Sequence, residues 1–514
     1  MKHRLAAGVW TALACLAVVV PSASARTHRA HAARGRLTPL AVQAPDVSAD
    51  EAAAPPACVT PDGFPYAYYH CNTPQDIADA YGIKELRDQE HLYGAGQTIV
   101  LVDAYGTPTG KQDLQRFHDT FYKDLPDPDY TAVYPNGQPD FKNVGNGQSG
   151  SAGAEGWAGE ANLDIEWAYA IAPLAHIVLL GVPPAETEGV QGFPNLFKAM
   201  SDAVDEYPPG TIFSQSFGVT EETFGGAAQA QLKRFDAVYQ KGNAKGDTFL
   251  ASSGDEGSLG VSKQHRDSVY YGHPTVGWPA SSQYVTAVGG TQLQYHWRWN
   301  PKDDQAYLAD GSRNPDYFAW NDTTTIDEPV WNEPWASIAT GGGASLLYPK
   351  PPWQNVTVRD AAGNAINARG VPDLAWNAAV NGGVLVYTSF FPATDRVGWH
   401  VYGGTSAASP QVAGLIALAN EKRGKPLGFL NPLIYEVGAG PGAASAFKDI
   451  VPEQFGTASS GNLADNWIWD VGADGTVTRD PVPGFPVTAS WDEATGFGAP
   501  KAAGFVDALI AAAG

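Results

Sequence analysis

Short, continuous apolar runs recur along this chain and constrain its fold more than any other feature. Each run has the length of a strand, and helical segments separate them, an order that is typical of a parallel α/β sheet. The runs are Gln97–Asp103, Ile177–Leu180, Phe249–Ser252, Tyr284–Thr291 and Gly383–Tyr387, and Thr211–Gly218 alternates like a strand that reaches a loop. We therefore predict a doubly wound, mostly parallel sheet with helices on both faces, in one large domain.

A glycine-rich turn leads into an apolar helix near the end of the last predicted strand. Gly403–Thr405 precede Ser406, and the apolar run Val412–Ala419 follows. We predict a helix that begins near Ser406 and holds Pro410 in its first turn. A hydroxyl at a helix N-terminus lies where free N–H groups favour negative charge, which suits a nucleophile that generates an oxyanion. A simple capping role for this serine stays open on this motif alone.

Two acids lie four residues apart in another predicted helix. Glu160 and Asp164 belong to the segment Gly159–Ala170, which Pro173 should end. The spacing places both side chains on one helix face, where like charges repel. Two explanations remain open: both acids face solvent near the helix N-terminus, or they form a coupled pair that shares a proton.

Further acids follow predicted strands. Asp103 ends one apolar run, and Asp255 lies in a loop between Gly254 and Gly257. Functional side chains gather at the carboxyl ends of parallel strands, and both acids are candidates. Each is also explained as an ordinary loop or turn aspartate. Residues 447–498 contain two more acid-bearing loops, whose carboxylates and carbonyls are ligands that calcium accepts.

The N-terminus predicts an exported protein. Residues 1–25 have the basic start, short apolar core and small-residue cleavage site of a secretory signal. Residues 26–57 are rich in Ala, Arg, Pro and Ser, and we expect a flexible or processed segment before a domain that spans 58–514. Cys58 and Cys71 remain after removal of the signal, and an oxidising compartment favours a disulfide between them over two free thiols.

The charge of the chain excludes some partners. It carries 54 acidic and 32 basic residues, a formal net charge of -22. This excess argues against nucleic acid as a partner. Beyond the signal, no apolar run approaches the ~20 residues that span a bilayer, so we expect the mature protein to be free of the membrane. We also expect it to be extracellular and monomeric.

Six motifs, taken in order, resemble those of the sedolisin family, the serine-carboxyl peptidases. They are Glu160-x-x-x-Asp164-Ile165-Glu166, Ser253–Asp255, Val285–Thr291, Gly404–Ala407, Asp449–Ile450 and Trp491-Asp492-x-x-Thr495-Gly496-x-Gly498. The resemblance runs from about Thr73 to the C-terminus. It implies a subtilisin-like α/β fold and cleavage of peptides or proteins in acid. Separately, residues 292 to about 340 are irregular and rich in Trp, Asp and Asn, and we interpret them as an insertion within the same domain.

The resemblance also implies roles for individual residues. Ser406 would be the nucleophile and Glu160 its general base, held by Asp164. Asp255 would donate a hydrogen bond to the oxyanion. Asp103 stands where some members carry an outer acid that extends the carboxyl network, and Phe217 replaces a tryptophan common in the family.

One structural calcium ion is implied as well. Its ligands would be the carboxylates of Asp449 and Asp492 and three backbone carbonyls, those of Ile450, Thr488 and Ser490. The family usually has glycine at the last two positions. Members of the family often carry a long folded propeptide, whereas fewer than ~50 residues separate the signal from the domain here, too few for an independent core.

Acid chemistry explains such a set of residues. A histidine base with a pKa near ~6.5 is protonated in acid, whereas a carboxylate remains partly ionised and a neutral Asp255 can donate to an oxyanion. Two alternatives stay open: a subtilisin-type Asp-His-Ser peptidase that uses Asp103 and Ser406, and a non-catalytic binding module. None of the 11 histidines precedes Gly-Thr, the context of the subtilisin histidine.

Overall fold

The computed structural model describes most of the chain, and every structural statement below refers to this part. The described residues are 71–139, 141, 151–182, 193–260, 270–295, 327–390, 397–454, 462–471 and 477–514, together with the backbone of four short strands at 38–39, 42–43, 297–299 and 318–320.

The strands, numbered in chain order, share their extended backbone but differ greatly in length. They are β1 Thr38–Pro39, β2 Val42–Gln43, β3 Cys71–Asn72, β4 Thr98–Ala104, β5 Tyr130–Val133, β6 His176–Val182, β7 Ile212–Gln215, β8 Phe217–Thr220, β9 Thr248–Ser252, β10 Gly277–Trp278, β11 Thr286–Thr291, β12 Trp297–Trp299, β13 Phe318–Trp320, β14 Asn332–Glu333, β15 Ile338–Ala339, β16 Gly343–Ala344, β17 Val358–Arg359, β18 Ala365–Ile366, β19 Gly370–Val371, β20 Leu374–Asn377, β21 Gly383–Thr388, β22 Gly398–Gly403, β23 Phe447–Lys448, β24 Glu453–Gln454, β25 Asn462–Leu463, β26 Trp469–Val471, β27 Val477–Arg479 and β28 Ala499–Pro500.

The α-helices within the described residues are numbered in the same way. They are α1 Pro74–Tyr81, α2 Ile83–Glu90, α3 Gly110–Phe121, α4 Ser151–Ile171, α5 Phe193–Glu206, α6 Ala228–Lys245, α7 Thr405–Arg423, α8 Asn431–Gly438, α9 Ala443–Ala446 and α10 Ala502–Ala512. Two 3-10 helices lie at Glu221–Ala227 and Pro334–Ala336.

The principal sheet confirms the predicted α/β fold. It has the strand order β20-β11-β9-β7-β4-β6-β5, and all its pairs are parallel. Alternate residues of β4 face opposite sides, because successive side chains of a strand do so. Ile99 and Leu101 pack with α4 and α7 in one core, whereas Val100 and Val102 pack with α5 and α6 in a second. The sheet is therefore covered by helices on both faces.

A second sheet leads into the nucleophile helix. It has the order β2-β22-β21-β3, and β22 runs antiparallel to β21. The sequence suggested that Gly383–Tyr387 leads to the Ser406 turn; in the structure β22 intervenes, and its last residue, Gly403, immediately precedes the helix N-cap Gly404. Helix α7 begins at Thr405, so Pro410 lies in its second turn rather than its first. The missing proline N–H leaves the carbonyl of Ser406 without its usual donor in the helix.

Other predicted features have mixed outcomes. Thr73 caps α1 in a capping box with Asp76, as the motif predicts. Cys71 is disulfide-bonded, whereas Cys58 lies outside the described residues.

Within the N-terminal segment expected to be flexible or processed, the structure has the short strands β1 and β2. The signal at 1–25 and most of the insertion at 292–340 lie outside the described residues. Among the helices that are described, none is long and apolar enough to cross a membrane.

Candidate active site

Helices α4 and α7 carry the predicted acid pair and the predicted nucleophile. Their close packing depends on glycines: a Cβ added at Gly159 would lie 2.6 Å from the Tyr402 hydroxyl, and one at Gly414 would lie 2.5 Å from Cβ of Ile171. Tyr402 lies in β22, just before α7, whereas Gly414 lies in the middle of α7 and Ile171 at the end of α4, so the two helices run in the same direction. The N-terminal part of α7 therefore lies level with the turn of α4 that carries the acid pair.

The hydroxyl of Ser406 is buried at the second residue of α7. Its Oγ atom has no hydrogen-bond partner in the part of the chain that the structure describes. The hydrogen bond expected from Ser406 to Glu160 is thus not formed in this state, and no described histidine takes its place. Catalytic hydrogen bonds are often long before substrate binds, so the lack of this bond is compatible with Glu160 or a histidine as the general base.

Asp255 is bound to Thr405, the residue before the predicted nucleophile Ser406. Its Oδ1 atom accepts hydrogen bonds from the backbone N–H and the hydroxyl of Thr405, each at 2.8 Å. Its Oδ2 atom is buried and has no hydrogen-bond partner among the described residues. Burial raises the pKa of Asp255 to about 8, although the hydrogen bonds from Thr405 oppose this rise. A neutral Asp255 accepts at Oδ1 and carries its proton on Oδ2, which is free to donate.

Three buried carboxyl groups form a cluster beside α4: Glu160, Asp164 and Asp103. Burial raises the pKa of Asp164 well above its usual range, and the charges of Asp103 and Glu160 raise it further. Burial also raises the pKa of Asp103 to about 8. The Ser216 hydroxyl donates to Oδ1 of Asp164 at 2.8 Å. The acid pair is therefore the buried, coupled one, and the solvent-exposed alternative is wrong.

Elements from distant parts of the chain meet at this edge of the principal sheet. Asp103 lies in β4, Ser216 follows β7 and Asp255 follows β9, all at the carboxyl ends of parallel strands. The Thr405 carbonyl accepts from the Ser252 hydroxyl at 3.0 Å, which fixes the start of α7 against β9.

Two residues of the site received no role from the motifs. Ser216 and Thr405 hold Asp164 and Asp255, respectively. The segment Thr211–Gly218 contains polar residues before Ser216 as well, so its sequence did not single out Ser216, which directly follows β7 at the same edge. Phe217, at the position of the family tryptophan, is fully buried with the second core.

Three described histidines lie away from the site. The rings of His118 and His176 hydrogen-bond to the Tyr169 and Thr131 hydroxyls, and His273 pairs with Glu222. None of these partners belongs to the cluster around Ser406, so these three histidines give no support to the Asp-His-Ser alternative. His400 is buried in β22, and it makes no hydrogen bond to Ser406 Oγ.

The two acid-bearing loops within residues 447–498 contact each other through a hydrogen bond. The backbone N–H of Ser490 donates to Asp449 at 3.0 Å, and that of Thr488 donates to Asp492 at 2.9 Å. Burial raises the pKa of both carboxyl groups, that of Asp492 to about 7. Ile450 directly follows Asp449 and is buried.

The donor set there fits a hard cation. Among the described hydrogen bonds, none uses the carbonyl oxygens of Ile450, Thr488 or Ser490. Oxygen atoms of this kind, with two carboxylates, are the ligands that calcium takes. No group of three or more His, Cys, Asp or Glu residues that could hold a metal occurs among the described residues, so any ion here depends on carbonyls. Ser490 has a φ of 68°, a conformation that favours glycine.

Comparisons with known proteins agree with the fold. Residues 134–432 match the subtilase family. Kumamolisin of Bacillus sp. (strain MN-32) is 30% identical over 450 residues, 86% of this chain and 64% of that protein. Sedolisin of Pseudomonas sp. (strain 101) is 26% identical over 65% of this chain and 49% of its own length. Tripeptidyl-peptidase 1 of Mus musculus is 28% identical over 57% of this chain and 45% of its own length.

The same similarity is visible in three dimensions. The solved structure of Pseudomonas sedolisin (serine-carboxyl proteinase) complexed with two molecules of pseudo-iodotyrostatin matches with a TM-score of 0.58 and 24% identity. The match covers 86% of this chain and 98% of that one. It shows a shared fold. The chain spans less than two thirds of the length of the three curated relatives named here.

Proposed function

Because this chain belongs to the subtilase family, and within it to the sedolisins, we propose that it is a secreted serine-carboxyl peptidase that acts in acid. Its substrates are peptides or proteins. The hydrolysis proceeds through an ester between the substrate acyl group and Ser406.

Each acid has a separate task in this proposal. Ser406 Oγ attacks the carbonyl carbon of the scissile bond while Glu160 takes its proton, and Glu160 then returns a proton to the leaving amine. Asp164, held by Ser216, lies beside Glu160 and is a positioning residue. Water then hydrolyses the ester, with Glu160 acting as base again.

The observation that carries the proposal is the arrangement of Asp255 and Thr405. One oxygen of Asp255 is held by two donors of the residue before Ser406, and the other oxygen remains for donation. Burial keeps this carboxyl neutral in acid, since its pKa is raised to about 8. A neutral donor next to the nucleophile, at the start of a helix, is what a developing oxyanion requires.

A calcium ion is part of the proposal. Asp449, Asp492 and the carbonyls of Ile450, Thr488 and Ser490 would hold it. The ion would supply positive charge between the two carboxylates, of which that of Asp492 is buried, and would join the two C-terminal loops, a structural rather than a chemical contribution.

Hydrolysis of a peptide library at several pH values, read by mass spectrometry, tests the proposal. Wild type should cleave with a maximum in acid, and Ser406→Ala should not cleave. Ser409→Ala is the matched control, because Ser409 lies in the same helix and bonds only to Ser214 in the core. Equal hydrolysis by wild type and Ser406→Ala would leave the non-catalytic module, and a maximum above pH ~7 would exclude the carboxylate base.

A further inference from the structure

The third acid of the first motif, Glu166, has no task in the proposed chemistry. It is fully buried in α4, six residues after Glu160 and two after Asp164. Two residues along a helix are about 200° apart, so Glu166 points away from the face that carries Asp164. A buried carboxyl group costs free energy unless it is hydrogen-bonded, so the contacts of Glu166 should account for its presence.

The partner of Glu166 is the main chain of β21. Its Oε2 atom accepts a hydrogen bond from the backbone N–H of Tyr387 at 2.9 Å. The next residue of α4, Trp167, donates its indole N–H to the Leu385 carbonyl at 2.8 Å. Leu385 and Tyr387 are two residues apart, so their backbone groups point to the same edge of the strand. Two neighbouring side chains of α4 therefore hold one edge of β21.

This edge of β21 has a neighbouring strand at only one end. Strand β3 pairs with the first two residues of β21, and none of the described strands pairs with the rest of the edge. Every residue of β21 is buried, and buried main-chain N–H groups need a partner. Glu166 supplies the partner of Tyr387. Further along, Asp113 of α3 accepts from the Ser389 N–H at 3.1 Å, so helix side chains take the place of a neighbouring strand.

The strand held in this way leads to the predicted nucleophile. Strand β21 forms an antiparallel pair with β22, which ends three residues before Ser406. Tyr402 of β22 also lies against α4, because a Cβ added at Gly159 would be 2.6 Å from its hydroxyl. Gly159 directly precedes Glu160. Helix α4 therefore contacts the pair β21–β22 beside the acid pair and again two turns further on.

The carboxyl group of Glu166 is neutral in acid. Burial raises its pKa well above the usual range; the hydrogen bond from Tyr387 lowers it, and the charge of Asp113 raises it further. Its Oε1 atom is buried and has no hydrogen-bond partner among the described residues, so no described group there would stabilise a negative charge. Glu166 therefore acts as a hydrogen-bond acceptor and not as a charge.

From these contacts we propose that Glu166 is a positioning residue for the peptidase reaction. By holding the Tyr387 N–H it fixes β21–β22 against α4, and it thereby fixes the distance over which Glu160 takes the proton of Ser406. This inference rests on the proposed function, since Glu166 acts only through those two groups. Reaction rates depend steeply on such distances, and a displacement of about 1 Å can cost roughly 10²-fold.

Steady-state hydrolysis of a peptide in acid, which gives kcat and KM, tests the inference with substitutions of Glu166. Glu166→Gln keeps a neutral acceptor for the Tyr387 N–H, so its kcat should stay within about twofold of wild type. Glu166→Met has similar length but no strong acceptor, so kcat should fall by roughly 10–10²-fold with KM changed less than about twofold. Glu166→Asp, shorter by one methylene group, is a milder variant and should show the same change in kcat to a smaller extent.

The matched control is Asp247→Ala. Asp247 is also fully buried and accepts from two backbone N–H groups, those of Gly210 and Thr211. It directly precedes β9 and so lies at the amino ends of the parallel strands, the opposite edge of the sheet from Ser406. Asp247→Ala should lower the melting temperature but leave kcat unchanged, with every variant assayed below its own melting temperature.

A double-mutant cycle tests whether Glu166 acts through Glu160. In a Glu160→Gln background the proton transfer is already lost, so Glu166→Met should change kcat by less than about twofold. A fall in kcat that is equal in both backgrounds would overturn the inference, because Glu166 would then act by another route.

The outcomes separate this inference from the proposed function. If wild type hydrolyses the peptide and Glu166→Met matches its kcat, or if Asp247→Ala loses as much kcat as Glu166→Met, the positioning role is overturned and the peptidase function stands. If wild type does not hydrolyse the peptide, both fail.

Discussion

Thr405 donates its backbone N–H and its hydroxyl to the same oxygen of Asp255, each at 2.8 Å. Thr405 thereby fixes which oxygen of the Asp255 carboxyl group remains available to donate a hydrogen bond. Burial raises the pKa of that group to about 8, so it is neutral in acid.

This relationship predicts different results for two substitutions of Asp255. Asp255→Ala removes the donor, and kcat should fall by roughly 10²–10³-fold. Asp255→Asn keeps an acceptor for Thr405 and a donor at the other atom, and should lose less. Because an amide does not titrate, the alkaline limb of its pH–kcat profile should move to higher pH. An unchanged alkaline limb in Asp255→Asn would show that Asp255 is not the group that limits activity there.

The acid pair predicts separate effects on rate and on pH dependence. Glu160→Gln removes the base, so kcat should fall by roughly 10²–10⁴-fold with little change in KM. Asp164→Asn still accepts from Ser216 but removes the carboxyl proton that Asp164 can share with Glu160, so the acidic limb of the pH–kcat profile should shift. Ser216→Ala is its control, because it loses the hydrogen bond and keeps the titratable carboxyl. Identical pH–kcat profiles for Asp164→Asn, Ser216→Ala and wild type would contradict a coupled acid pair.

The glycine contact between α4 and α7 predicts a loss of both stability and activity. A methyl group at residue 414 would lie 2.5 Å from Cβ of Ile171, so Gly414→Ala should push the helices apart and cost about 1–3 kcal/mol of unfolding free energy. The shift would also move Glu160 away from Ser406 and lower kcat. Gly226→Ala is the control, because nothing lies within 4 Å of its added methyl group. Urea unfolding and peptide hydrolysis measure both effects, and similar values for the two variants would contradict close packing.

Calcium removal should lower stability. Chelation with EDTA should lower the melting temperature of wild type, and this loss should be largely absent in Asp492→Asn, which lacks a ligand charge. Ser490→Gly should raise the melting temperature in calcium, because its φ of 68° is unfavourable for serine. A melting temperature that does not respond to EDTA would contradict the ion.

The buried acids predict greater stability in acid than at neutral pH. Burial raises the pKa of Asp103 to about 8, of Glu221 to about 7 and of Asp236 to about 6. An unfolded carboxyl has a pKa near ~4, so between about pH 4 and 8 the folded chain binds more protons than the unfolded one. Stability from these groups is complete below that window and is lost as the pH rises through it.

The melting temperature at saturating calcium should therefore fall by roughly 5 °C or more from pH ~4.5 to ~8. Asp236→Asn keeps acceptors for Ser282 and Tyr348 without titrating, so its melting temperature should fall less. A melting temperature that rises over this range would contradict the assignment.

The sequence by itself determined the fold class, and it predicted which residues react. Apolar runs such as Thr98–Ala104 form buried parallel strands because their side chains have no polar face to expose. The four-residue spacing of Glu160 and Asp164 placed them on one helix face, because a helix has 3.6 residues per turn. These are local properties, and a single sequence carries them.

Only the tertiary structure decided which groups meet. Local spacing did not distinguish a solvent-exposed acid pair from the buried one, and it gave no indication that Thr405 selects one oxygen of Asp255. Nor did it predict that Thr38–Pro39 pairs with β8, since strand pairing joins residues about 180 positions apart through backbone groups that all residues share. Burial, which sets the pKa of each acid, is likewise a property of the packed chain and is not encoded in any one segment.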